Sequence, residues 1–134
     1  MAGNTALGAI QKAFFTILDG DVTLKAKART YDDTPQDTAF PYITLGEAVE
    51  LPFNTFNRNG KDVLMTLHIW SNERGFKEAT DILGMMNALL DYVTFSVTGF
   101  TNLVYSRFES SQTLRDPNGV TRHVVANYRV VVQD

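Results

Sequence analysis

The chain has 134 residues, 44% of them hydrophobic and 20% charged, with a formal net charge of −3. That size suits one domain spanning residues 1–134 with a real core, and the apolar content excludes a disordered chain. Lys and Arg are scattered singly, so no basic stripe offers a nucleic-acid groove, and the mild acidity argues against direct phosphate binding. There is no cysteine, which removes disulfides, thiolate metal sites and thiol catalysis together. The N-terminal stretch lacks the charged start and continuous apolar run of a signal peptide. No segment reaches the roughly 18 apolar residues of a membrane span.

From Asn4 to Asp19, Leu7, Ile10, Phe14, Ile17 and Leu18 recur at helical spacing, which predicts an amphipathic helix. Asn4 or Thr5 can cap its start, and Gly20 can end it in a left-handed conformation. Residues 32–41 carry two prolines and three aspartates and read as a connector. A strand follows over Tyr42–Leu51, with Ile43, Leu45 and Val49 alternating against Thr44, Gly46 and Ala48; Gly46 marks a candidate bulge. Residues 52–61 break the pattern with Pro52, three asparagines and Gly60.

A second strand covers Asp62–Trp70, with Val63, Met65, Leu67 and Ile69 on its apolar face. Its other face mixes Leu64, Thr66, His68 and Trp70. A second helix is predicted from Glu73 to Asp91. Its stripe is Phe76, Ala79, Leu83, Met86 and Leu90, with Ile82 and Leu89 beside it. Ser71 or Asn72 can cap it, and Glu73 suits the positive end of its dipole. Val93, Phe95 and Val97 alternate like a short strand. Strands over Leu103–Leu114 and Val120–Val132 flank Asp116-Pro117-Asn118-Gly119, a strong turn signal. In the last strand Val120, Val124, Ala126, Tyr128, Val130 and Val132 share a face, on which Arg122 also falls. Two hairpins do not fit parallel βαβ units. The order fits a two-layer α+β fold: an antiparallel or mixed sheet with both helices on one face.

The usual catalytic constellations are missing. His68 and His123 lie in strand patterns, and two histidines with no cysteine or paired acidic motif make a weak metal site. No G-x-S-x-G, P-loop or G-x-G-x-x-G occurs. Asp32, Asp33 and Asp37 do not follow a calcium-loop spacing, and aspartates beside Pro35 are turn formers. Glu47 and Glu50 fall on opposite strand faces and cannot easily converge. No catalytic, cofactor-binding or metal residue is therefore assigned, and the chain is not read as an enzyme. A small ligand-binding α+β domain is the reading from another class.

Two features point to a partner surface instead. Phe15 and Met85 lie off the main stripes of their helices, and leftover apolar surface can mark a subunit contact. The 52–61 loop is longer than most hairpin connections and carries Phe53, Phe56, Arg58 and Lys61. Aromatic and Arg residues are favoured at interfaces. These six residues are the candidate assembly interface.

The stretch YDDTPQDTAFPYI (residues 31–43) resembles the YD-x-x-P-x-D-x-x-x-PY run of siphophage tail completion, or tail-to-head joining, proteins. Gly46-Glu47 in the next strand, Trp70-Ser71 at the end of the following one, Gly75 and a helix, and the Asp116–Gly119 turn leading into Arg122-His123 follow in the family's order. The likeness covers nearly the whole chain. It implies a structural virion protein that is monomeric when free. Six copies would form a ring on the tail tube, contacting the major tail tube protein on one side and the head connector or head-closure protein on the other. DNA would pass through the hole without specific binding. The resemblance implies a location at the head–tail interface of the virion, synthesis in the bacterial cytoplasm, and no cofactor or membrane. Another connector component, such as a head-closure protein, is the alternative within this class.

Overall fold

A computed structural model describes residues 5–33, 35 and 37–134. The elements run α1 (Leu7–Gly20), α2 (Val22–Lys27), β1 (Arg29–Tyr31), β2 (Tyr42–Pro52), β3 (Gly60–Ser71), α3 (Lys77–Leu90), β4 (Asn102–Arg115) and β5 (Arg122–Gln133). The strands form one five-stranded sheet in the order β1-β2-β3-β5-β4. All neighbours are antiparallel except β1 and β2, which are parallel. This is the predicted mixed-sheet, two-layer α+β architecture, with a short third helix.

The core lies between one sheet face and α1 and α3. Val63, Met65, Leu67 and Ile69 of β3 and Val124, Ala126, Tyr128, Val130 and Val132 of β5 are buried, as their alternation requires. Ile10, Phe14 and Leu18 of α1 and Ala79, Ile82, Met86 and Leu90 of α3 close over them. Phe14 meets the rings of Tyr128 and Phe95 edge-on, each at 6.0 Å between centroids, a favoured aromatic geometry.

Several expectations are corrected. Gly20 does not end α1 in a left-handed turn. Asp21 is extended there (φ −79°, ψ 119°), and its carboxylate accepts from Leu24 N at 3.0 Å, capping α2. Of the two proposed caps for α1, Asn4 lies outside the described residues. Thr5 acts one position early: its Oγ1 accepts from Leu7 N at 3.2 Å. The stronger anchor comes from the sheet, where the Glu50 carboxylate accepts from Ala6 N at 2.6 Å and from Thr5 Oγ1 at 3.0 Å. A carboxylate there also suits the positive helix end.

Glu50 can do this because of a bulge at the predicted place. Pairing between β2 and β3 slips between Leu45 and Ala48, so the extra residue reverses which side chains face the core. Val49, expected on the apolar alternation, is 56% exposed and Leu51 after it 53%, while Glu50 turns toward the helices. Gly46 is required at the bulge: a Cβ there would lie 2.6 Å from His68 Nε2 and 3.0 Å from the Thr66 carbonyl.

α3 begins at Lys77, four residues later than expected, because Gly75 is left-handed (φ +77°) and helical residues rarely take that conformation. Neither Ser71 nor Asn72 caps it directly. Ser71 Oγ instead donates to Glu78 at 2.6 Å and accepts from Glu73 N at 3.1 Å, bracing the approach. Ile82, not Leu83, is the buried centre of the stripe. The 93–97 alternation is no strand; these residues are irregular, and Val97 is buried in the core. Val120 falls in the β4–β5 turn and is exposed, while Arg122 does lie on the buried face.

Candidate assembly interface

The face of the sheet away from the helices carries both histidines. His68, Trp70 and His123 meet there. Trp70 stacks on His123 at 3.8 Å between centroids with the planes 11° apart. His68 Nδ1 and His123 Nε2 are 2.7 Å apart, so one nitrogen carries the proton that the other accepts. His68 Nε2 lies 3.4 Å from the Glu47 carboxylate. Burial and the neighbouring His68 push the His123 imidazole below its ordinary value, and the Glu47 backbone N–H and His68 hold the Glu47 carboxyl below the usual carboxylate range.

Further along the same face, Thr66 Oγ1 donates to Asn127 at 2.8 Å, and Asn127 donates to Ser110 Oγ at 3.1 Å. Arg129 pairs with Asp62 at 2.7 Å and with Glu109 at 2.6 Å, and Arg107 adds to Glu109 at 3.1 Å. The Arg129 guanidinium holds the Glu109 carboxyl low, and Glu109 raises Arg129 in turn. These polar groups are satisfied by one another. Glu47 and Glu50 sit on opposite faces and do not converge. Among the described residues no group of three or more His, Cys, Asp or Glu side chains is placed to hold a metal ion.

The six residues singled out for assembly fall on the β2–β3 loop and on three elements, β3, α1 and α3. Phe56 stands fully exposed at the tip of the β2–β3 loop, and Phe53 is half-buried at its base. The base is tied down. Phe53 N donates to the Gly60 carbonyl at 2.9 Å, Gly60 N to Asn54 Oδ1 at 3.2 Å, and Asp134 N to the Asn59 carbonyl at 2.9 Å. Arg58 is exposed, with Nη1 donating to the Asp134 carbonyl at 2.9 Å. Lys61 is half-buried in β3. Phe15 is 37% exposed and lines a cleft of about 410 Å³ with Gly8, Gln11, Lys12, Asp32 and Leu45. Met85 packs against the core and offers less to a partner.

A family model described as tail completion protein gp17 matches residues 9–133. The chain belongs to the tail completion protein gp17 family. It is thus a phage tail completion protein, a structural component of the virion, as the residues 31–43 and 116–123 signatures suggest. It is 27% identical to the tail completion protein gp17 of Bacillus phage SPP1 over 135 aligned residues, covering 100% of this chain and 99% of that one. The solved structure of bacteriophage SPP1 gp17 superposes with a TM-score of 0.65 at 26% identity, over 96% of this chain and 91% of that chain. A chain from the virion of a native gene transfer agent particle superposes with a TM-score of 0.88 over 98% of this chain and 100% of that one; at 19% identity this is a likeness of fold.

Proposed function

We propose that this protein closes the completed tail tube as a ring of six copies and joins the tail to the head connector, without catalysing a reaction. The observation that carries the reading is the end-to-end match to a tail completion protein, with 100% and 99% of the two chains covered. The outer sheet face supports it, because its histidines, arginines and acids are engaged with one another and present no nucleophile beside a free base.

In this reading the subunit is monomeric when free and assembles through modest contacts between two different patches, as a cyclic ring requires. Phe53, Phe56 and Arg58 of the β2–β3 loop and Lys61 at the start of β3 meet a neighbouring subunit or the major tail tube protein. Phe15 supplies a second contact on α1, with Met85 a lesser one on α3. The opposite side of the ring meets the head connector or head-closure protein, and DNA passes through the hole without specific binding. The protein then resides at the head–tail interface of the virion.

Electron microscopy of phage lacking this protein tests the role. Full heads beside separate tails are expected. Heads emptied of DNA would contradict tail completion and indicate head closure instead. Phe56→Ala, which removes a fully exposed ring, should leave thermal unfolding unchanged and reduce joining of heads to tails. Normal yields of infectious particles from that variant would remove the loop from the interface.

A further inference from the structure

Arg122 stands in line with Val124, Ala126 and Tyr128 on the sheet face that packs under the helices, and only 9% of it is exposed. Its cross-strand neighbours are Ser71 on β3 and Arg115 on β4. Two guanidinium-bearing residues directly opposite each other are destabilising unless an anion intervenes. Arg122 Nη1 donates to the carbonyls of Gly119 at 3.2 Å and Val120 at 3.0 Å, and the guanidinium lies 5.8 Å from the centre of the Phe76 ring. Its Nε is buried with no acceptor.

A cavity of about 260 Å³ opens at this point, lined by Asn72, Arg74, Gly119, Val120 and Arg122. The lining holds two arginines and no acid. Among the described residues, no carboxylate forms an ion pair with Arg74, Arg115 or Arg122. Two acids of this region are engaged elsewhere: Glu78 accepts from Ser71 Oγ and Asp116 from Asn118 N. A buried guanidinium without a counter-ion is costly, and its planar fork fits a carboxylate.

The complementary patch lies at the β1 edge of the same sheet, three strands from β5. The connector after β1 carries Asp32, Asp33 and Asp37 and no Lys or Arg. None of these aspartates is in an ion pair among the described residues, and all three are exposed. β1 and β4 are the two edges of the five-stranded sheet. An acidic patch beside the β1 edge and an arginine pocket where β3 ends and β5 begins are two different surfaces of one subunit, the arrangement that head-to-tail assembly uses. We propose that Arg122 and Arg74 form a carboxylate socket that receives an aspartate of the 32–37 segment from a second copy of this chain.

The socket rests on the ring reading above, and the experiment separates the two. Arg74 and Asp33 are both exposed, so R74E and D33K should fold normally, as circular dichroism will verify. Each single variant should lower head-to-tail joining by about tenfold or more, and the charge-swapped R74E/D33K double variant should regain it. The chain has no cysteine, so R74C combined with D33C, oxidised on assembled tails, should give a ladder of covalent multimers. Rings visible by cryo-electron microscopy with no ladder, and with full joining by both single charge variants, would overturn the socket and leave the ring standing. Wild-type tails without rings would overturn the ring itself. Loss of short duplex DNA binding in R74E, with rings and joining intact, would assign the pocket to phosphate and refute the proposal.

Discussion

Gly60 opens β3 where three segments converge. A Cβ at this position would collide with the Val132 carbonyl and come within 2.6 Å of the Phe53 carbonyl. Both obstacles are backbone and cannot swing aside, so Gly60→Ala should destabilise the fold by about 2–3 kcal/mol. Chemical denaturation measures this directly, and a loss below about 0.5 kcal/mol would show that the strands separate easily there. His123 sets a pH dependence. Its folded-state pKa lies below the ordinary 6.5 because of burial and His68. The unfolded chain therefore takes up a proton that the folded chain refuses, and stability falls as the pH drops below about 6.5. Asp19 and Glu109, lowered by Arg29 and Arg129, act in a more acidic window. Their contribution is present above the ordinary carboxylate range and is lost as pH falls through their folded values. His123→Gln should flatten the change in melting temperature between pH 5 and 7 while leaving the loss below pH 4.

At the scale of elements, long periodic segments were legible and short ones were not. Apolar alternation over β3 and β5 and the Asp116–Gly119 turn mark real strands and a real hairpin. Those strands are long, and one face is buried along their length. The six residues of α2 and three of β1 are too few to show a period, and the region between Gly20 and Asp32 carried no assignment. Alternation at 93–97 misled because burial against Phe14 and the core, not strand pairing, keeps Phe95 and Val97 apolar. Val49 misled because one extra residue at Gly46-Glu47 reverses the facing of everything after it. On α3 the choice between Ile82 and Leu83 depended on where the helix starts, which Gly75 decides. Ile82→Ala should cost about 2–5 kcal/mol, and Leu83→Ala, at a half-buried position, about 1 kcal/mol. Equal losses in urea unfolding would mean that the helix is rotated from its described position.

Across the whole molecule, the family was readable because its signatures are collinear turns and strand ends spread over the chain. The arginine pocket was not. Arg122 stood out only as a charge on an apolar strand face, and nothing in the sequence brings Arg74 beside it; that takes the left-handed Gly75 and the β4–β5 turn folding to the same end of the sheet. The exposed aspartates of residues 32–37 likewise read as turn formers until the sheet order places them beside the β1 edge, three strands from Arg122. Cryo-electron microscopy of intact virions at the head–tail junction tests the account most directly. It should show six copies of this chain in a closed ring between the tail tube and the head connector, each contacting the next through different surfaces. Density for this chain at another location in the virion, or copies related only by two-fold contacts, would contradict it.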